Sequence, residues 1–459
     1  IADIPKRNAK RYPNKTALVI GDTRYTFKEF NSRINSLANA LVDLGLRKGD
    51  KIAFLSANSQ QYTEIFFAAA KTGLVMVPLN PMLSLQGLSY LINNAEAKAV
   101  IFSLDNKIKV DSLRPELTET NIYIVSGAAE EEARSYEELI SSYPSTEPRA
   151  KIEGDDLLML APSGGTTGLP KQIMYANSTF LAVITEFVWA SKLRYEDINL
   201  YCSLPFWGIT LPWQMLPHFY LGCTVVLATD LTPESILETI EREKVTTSFF
   251  SPTLITQFLE SPGLSKYDHS SLHFVVVSGA PLPTKVWQRL IEVFGSIFGI
   301  DYGLTELNQI TFLPPEDFIF EGPPEKVRRV TSCGKEFLNV DVRVVDEQDN
   351  DVLPGQVGEV IAKGDHLMKG YWKAPKATEE AIKEGYLYTG DLATIDEDGY
   401  IYLVGRKKDV ITSGGKIISP SEVEDVLYRH PAILETAVIG VPDESLGEAV
   451  KAIIVLREG

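Results

Sequence analysis

Cysteine is scarce: Cys202, Cys223 and Cys333 are the only three among 459 residues, and they lie far apart. That scatter excludes metal-ligand spacing, marks the three as core residues and fits a reducing cytoplasm. Basic residues are also in short supply, 44 Lys and Arg against 61 Asp and Glu, for a net charge of −17. Such a balance argues against nucleic acid or an anionic membrane as partner, and any anionic ligand needs a local positive site. Long apolar runs are missing too. Only Asn199–Thr229 is free of formal charge and long enough to span a bilayer, but Pro205, Gly208, Pro212, Pro217 and Gly222 interrupt it. The expectation there is a buried strand, turn, helix and strand, with no transmembrane segment. No internal repeat, low-complexity segment or signal peptide is visible, although the first residue is Ile1 rather than Met, which leaves a missing front segment open.

What is present reads as a globular α/β chain. Its length calls for at least two domains, and 44% hydrophobic with 23% charged residues suits that class. Thr26-Phe27-Lys28-Glu29 is a capping signature for a helix running through Leu37, Leu41 and Leu44 and stopping before Gly45. Lys51–Leu55, Val75–Leu79, Thr246–Ser251 and Phe274–Val277 read as strands. Thr232-Pro233 starts a helix, and Pro283–Phe294 is another, closed by Gly295. This strand–helix alternation predicts two doubly wound parallel sheets. After residue 310 the pattern changes to short strands at Val340–Val345, Gly358–Lys363 and Tyr400–Val404, predicting a small antiparallel barrel over about 311–404. Gly405–Asp409 reads as a charged linker. Beyond it, Ser419-Pro420 caps a helix, and Ala437–Val441 and Lys451–Leu456 read as strands of a small α+β unit. The expected domains are therefore 1–404 and 405–459.

The densest chemical signal is Ser163-Gly164-Gly165-Thr166-Thr167-Gly168-Leu169-Pro170-Lys171. Its glycines allow backbone N–H groups to approach a ligand, Ser163, Thr166 and Thr167 add neutral donors, and Lys171 adds a mobile positive charge. Those are the parts of a polyphosphate cradle. The spacing is not that of the Walker loop, and Pro170 opposes a helix start. The run resembles the phosphate loop of the adenylate-forming acyl-activating enzymes, which include the acyl-CoA synthetases. In the same order as in that family follow Ser278-Gly279-Ala280-Pro281-Leu282, similar to its adenine loop, and Tyr302-Gly303-Leu304-Thr305-Glu306, similar to its Tyr-Gly-x-Thr-Glu motif. Gly358-Glu359 with Met368-Lys369-Gly370-Tyr371-Trp372 resembles another segment, Tyr388-Thr389-Gly390-Asp391 the ribose motif, and Gly405-Arg406-Lys407-Lys408-Asp409 the hinge. The resemblance covers essentially the whole chain.

It implies a large ATP- and acid-binding domain followed by a mobile lid. It also implies a reaction in which a carboxylate attacks the α-phosphate of ATP and a thiol, usually that of CoA, then displaces AMP. The carboxylate is already ionised at neutral pH, so the first step needs charge neutralisation rather than a strong base. By the resemblance, Ser163–Gly168 and Lys171 face the leaving pyrophosphate, Glu306 is the Mg²⁺ ligand, and Thr305 meets the α-phosphate. Tyr302, next to Gly303, stacks on adenine beside Gly279, Ala280 and Pro281, and Asp301 reaches the adenine amino group. Asp391 accepts the ribose hydroxyls with Arg406 nearby, Lys408 is the hinge, and Gly414 and Gly415 flank the pantetheine tunnel. Trp207, Gly208 and Trp213, with Phe180, Leu181, Ile184, Phe187, Val188 and Ile209, supply apolar wall for the acid.

The sequence departs from the family at Gln172, Asn177, Gly208 and Lys416, none of them a phosphate or magnesium ligand. The family's further segment, with a Gly-Lys pair used in adenylation, does not occur before Gly459, so a truncated chain with an incomplete lid is expected. The reading is an AMP-forming ligase joining an apolar carboxylic acid to CoA, with ATP, Mg²⁺ and CoA as required partners and the oligomeric state open. A fatty acid is the first choice and an aryl acid the second. A carrier-protein-loading adenylation domain and a catalytically silent nucleotide-binding protein are the alternatives.

Overall fold

The computed structural model describes residues 1–129, 132–163, 170–203, 214–414, 416–428, 430, 432–443 and 445–457. Its contacts gather into two compact units that each collect separate stretches of chain. The first holds Ile1–Val277, Leu304–Asn308 and Asp365–Glu380, and the second holds Ser278–Gly303, Gln309–Gly364 and Ala381–Gly459.

The first unit is built on two sheets. One has seven strands in the order Arg134–Ser135, Ile122–Ser126, Ala97–Ser103, Lys51–Leu55, Val75–Leu79, Leu157–Pro162, Gln172–Ala176. All neighbours pair parallel except the last two, which are antiparallel. Val75–Leu79 is buried along its whole length, as a parallel strand covered on both faces must be. Leu88, Leu91 and Ile92 of the helix Leu85–Ala95 cover one face, packing with Val75, Val77, Val100 and Phe102. The other sheet runs Phe274–Ser278, Thr247–Phe250, Ile198–Tyr201, Thr224–Leu227 and Thr16–Ile20 in parallel, then Thr23–Thr26 antiparallel. Phe30 stacks on Phe219 at 5.3 Å, and Phe66 meets Phe180 edge-on at 5.3 Å.

The expected capping box is present. The Thr26 hydroxyl accepts from Glu29 N at 3.2 Å, and the Glu29 carboxylate accepts from Thr26 N at 2.8 Å, opening the helix Phe27–Asp43. The uncharged stretch folds as the strand Ile198–Tyr201, the six-residue helix Leu216–Leu221 and the strand Thr224–Leu227; 204–213 lie outside the described residues. Among the described residues no helix is long and apolar enough to cross a membrane.

In the second unit the region expected as a barrel takes the form of a five-stranded antiparallel sheet. Val340–Val345 pairs with Gly358–Gly364, which pairs with Tyr386–Ile395, and the last also takes Ile382–Lys383 and Ile401–Arg406. The strand Ile401–Arg406 passes straight through 404/405. The charged run is therefore strand up to Arg406, then a turn closed by Asp409 N and Val410 N donating to Arg406 O, at 2.8 and 2.9 Å. Ladder bonding opposite Asp391 and Leu392 outweighs the linker-like composition. The C-terminal part has the expected helix, Pro420–Leu427, and its two strands are longer than expected, Ile433–Asp443 and Gly447–Leu456. An unexpected hairpin, Ile411–Ser413 with Lys416–Ile418, joins them into four strands, turning at Gly414 with φ +57°. The sequence Gly414-Gly415 between the two strands was the available signal.

Candidate active site

The phosphate-loop run connects two antiparallel neighbours, Leu157–Pro162 and Gln172–Ala176. Gly164–Leu169 lie outside the described residues, but the ends of the run are tied. Ser163 N donates to Lys171 O at 2.7 Å, and Ser163 Oγ accepts from Lys171 N at 3.1 Å. Ser163 thus closes the base of the loop while its hydroxyl proton stays available for donation.

The strand Gln172–Ala176 is the platform of the site. Its free edge takes up the Met368–Trp372 segment. Lys369 N donates to Met174 O, Met174 N to Gly370 O, and Trp372 N to Gln172 O, at 2.9, 2.9 and 2.7 Å. Gln172, where the family has glycine, turns inward and is buried. Its side chain accepts from Asn94 at 2.7 Å and donates to Leu91 O at 3.2 Å. Asn177, the departure at a common histidine position, begins the next helix and donates to Asp156 O at 3.1 Å.

Thr305 and Glu306 form the two-residue turn between the strands Phe298–Leu304 and Leu307–Leu313. The buried Tyr175 hydroxyl donates to Thr305 O, and Met368 N donates to Glu306 O at 2.9 Å. The Tyr371 hydroxyl donates to Glu306 Oε1 at 2.7 Å, and Lys171 Nζ stands 4.5 Å from the centre of the Tyr371 ring. Burial, with the neighbouring Glu306 carboxylate, pushes the Tyr371 phenol above its usual range, so it acts as a donor. Lys171, Thr305 and Glu306 are thus brought to one place in the first unit.

A single carboxylate is compatible with a Mg²⁺ that would arrive with a polyphosphate, since this cation takes one or two carboxylates and fills its remaining positions with phosphate oxygens and water. Among the described residues no group of three or more His, Cys, Asp or Glu could hold a metal by itself. Glu306 therefore fits a metal delivered by a polyphosphate.

The second unit gathers the ribose-motif residues. Asp391 and Arg406 face each other across two antiparallel strands. Arg406 Nε lies 2.7 Å from Asp391 Oδ1, and the Tyr302 hydroxyl donates to Asp391 Oδ2 at 2.7 Å. Asp391 is only 6% exposed, and burial raises its pKa even though Tyr302 and Arg406 pull it down. The Tyr302 ring packs against Cys333, Val344, Val360, Ala393 and Ile401. Glu359 fixes the flank, accepting from Gly390 N at 3.1 Å and pairing with Lys407 at 3.0 Å. Asp301 is buried on the same strand as Tyr302 and Gly303, whereas Gly279, Ala280 and Pro281 form an exposed turn. Lys408 sits in the exposed turn after Arg406, and Gly414 N donates to Leu446 O at 2.9 Å. Gly415 is outside the described residues.

Of the expected acid-pocket residues, Trp207, Gly208, Ile209 and Trp213 lie outside the described residues. Phe180, Ile184 and Phe187 are buried in the first unit, Val188 is half-buried and Leu181 is exposed. Tyr371, Tyr175 and Glu359 had no role assigned from sequence. Their partners are 65, 130 and 31 residues away, and no local pattern signals such meetings.

A family model described as AMP-binding enzyme matches residues 5–372, and one for the AMP-binding enzyme C-terminal domain matches 422–459. A feruloyl-CoA synthase of Amycolatopsis sp. is 32% identical over 455 residues, covering 99% of this chain and 88% of the relative. A medium/long-chain-fatty-acid–CoA ligase of Mycobacterium tuberculosis is 32% identical over 464 residues, covering 98% and 78%. Among solved structures, an anthranilate CoA ligase in complex with anthranoyl-AMP superposes with a TM-score of 0.90 at 28% identity, covering 99% of this chain and 86% of that one. With both family models matched in order and the motif residues held in the arrangement described, this chain belongs to the AMP-binding enzyme family.

Proposed function

We propose that the protein is an AMP-forming carboxylic acid–CoA ligase acting on an apolar acid, with a fatty acid as first choice. The observation that supports it most is the meeting of Lys171 and Glu306 at Tyr371, a cation and a carboxylate brought to one side chain. The acid's carboxylate attacks the α-phosphate of ATP, pyrophosphate leaves, and the CoA thiol then displaces AMP from the acyl carbon. Glu306 would hold a Mg²⁺ that arrives with ATP, which would supply charge neutralisation on the phosphates. Lys171 and the loop donors stabilise the leaving pyrophosphate, and the Thr305 hydroxyl donates to the α-phosphate. Asp391 accepts the ribose hydroxyls while Tyr302 and Arg406 orient its oxygens, and Tyr302 lies along the adenine with Asp301 and the Gly279-Ala280-Pro281 turn. The residues after the strand Ile401–Arg406 act as a lid that pivots at Lys408, with Gly414 and Gly415 beside the pantetheine chain. The three buried free cysteines suit a reducing cytoplasm.

An aryl acid is the second reading, favoured by the feruloyl-CoA synthase and the anthranilate ligase among the similar proteins. The test is release of AMP and pyrophosphate from the full-length protein with a panel of fatty and aryl acids, with and without CoA. Acid- and CoA-dependent AMP release supports the ligase. Turnover that depends on a carrier protein instead of CoA, or none with any acid, overturns it.

A further inference from the structure

We propose that Tyr371 is a positioning residue for adenylation, holding the Glu306 carboxylate through its hydroxyl and seating the Lys171 ammonium on its ring. The inference rests on the adenylating reading above and concerns how that site is set before substrate arrives. Two opposite charges with separate tasks converge here. If they paired with each other, Glu306 would lose charge toward a metal and Lys171 would lose charge toward phosphate. Among the described residues each of them instead meets the Tyr371 side chain. Tyr371 gives each a neutral partner: a hydroxyl proton for one carboxylate oxygen, and the negative face of an aromatic ring for the ammonium. A neutral partner orients a charge without cancelling it.

Tyr371 is itself held on several sides, as a positioning side chain must be. Its backbone N donates to Thr378 Oγ1 at 2.9 Å. The residues on either side are bonded to the edge of Gln172–Ala176, and Tyr371 bridges to Ile173. Next along, the Trp372 indole donates to Asn94 O at 2.9 Å and lies under Lys51 at 4.6 Å. Before it, Gly370 adopts φ +122°, a conformation that side-chain-bearing residues rarely take, and a Cβ there would come within 2.8 Å of Thr378. Tyr371 as a whole is 8% exposed.

The test compares Tyr371→Phe, which keeps the ring and drops the hydroxyl, with Tyr371→Leu, which drops both, in the full-length protein. Four readouts are needed: Mn²⁺ affinity by electron paramagnetic resonance with a non-hydrolysable ATP analogue bound, acid-dependent pyrophosphate exchange, CoA-thioester formation from a supplied acyl adenylate, and Tm. Tyr371→Phe is expected to weaken Mn²⁺ binding and slow exchange by about tenfold each, while the thioester step changes less than twofold. Tyr371→Leu adds a rise in KM for ATP through the loss of the Lys171 seat. Unchanged Mn²⁺ affinity and exchange in Tyr371→Phe overturns the proposal. A parallel fall in both half-reactions and Tm also overturns it, since a plain structural brace behaves so. Because the Mn²⁺ measurement needs no acid, it decides on Tyr371 even if the wild type turns over no acid, a result that would count against the ligase reading instead.

Discussion

Replacing Asp391 by Asn separates what this carboxylate does for function from what it does for stability. An ionised carboxylate has about four lone-pair sites. Tyr302 and Arg406 occupy one on each oxygen, at 2.7 Å in both cases, which leaves two for the vicinal hydroxyls of the proposed ribose ligand. Hydrogen bonds to a charged group are worth about 1.5–3 kcal/mol each. Asn keeps one acceptor without its charge and turns the other into a donor, so the loss is about 2–4 kcal/mol, or roughly 30- to 1,000-fold in kcat/KM for ATP. Stability moves the other way. Burial raises the Asp391 pKa in the folded protein above its ordinary value. A raised pKa means that the native state holds the proton more tightly than the unfolded chain. The resulting stabilisation is full below the ordinary Asp pKa of about 4 and is lost as pH rises through the raised value. Asn has no such titration, and Arg406, with its side chain 45% exposed, can be solvated when its partner is gone. The Tm of Asp391→Asn relative to wild type is therefore expected to improve as pH rises from about 4 toward neutrality. Thermal unfolding across that range, beside steady-state ATP kinetics, checks both limbs. A Tm difference that worsens with rising pH, or a kcat/KM for ATP within threefold of wild type, would refute the reasoning.

Glu306→Gln keeps the size of the side chain and removes its charge at a half-buried turn; acid-dependent pyrophosphate exchange is expected to fall by about 100-fold or more with Tm shifting by less than about 2 °C, and wild-type exchange would reject Glu306 as metal ligand. Gly370→Ala places a Cβ 2.8 Å from Thr378 Cγ2 at φ +122°, costing about 1–3 kcal/mol in chemical denaturation and slowing exchange through displaced Tyr371; an alanine variant as stable as wild type would show that the turn relaxes freely. Thr26→Ala removes the side-chain half of a complete capping box and is expected to cost about 1 kcal/mol in urea unfolding with no change in ATP kinetics; a neutral effect on stability would mean that the helix is held by its packed face alone.

Much of this molecule is legible along the chain because the relevant physics is local. Thr26 and Glu29 announce a helix start by their spacing, since a cap satisfies N–H groups only two or three residues ahead. The buried strands Val75–Leu79 and Phe274–Ser278 show as apolar runs. Glycine, hydroxyl and lysine content marks the phosphate run, and the order of the later motifs points to the family without any fold in hand. Local patterns also mislead where a partner strand decides. The run Gly405–Asp409 has the composition of a solvated linker, yet its first two residues are strand because Tyr386–Ile395 offers them a ladder.

The assembled site is another matter. Tyr371 reaches Glu306 and Lys171 only because the Met368–Trp372 segment hydrogen-bonds to the edge of a strand some 200 residues earlier. Asp391 meets Arg406 because a hairpin register sets them opposite each other, and the long-range packing that brings Tyr302 to the same carboxylate is written in no neighbouring residue. Helix and strand propensities act over a few residues, so sequence alone names the chemical groups and their order. Edge pairing and burial act between segments distant in the chain, so the tertiary structure alone decides which groups share a carboxylate, which side chains meet Tyr371 and which carboxylate is lifted in pKa.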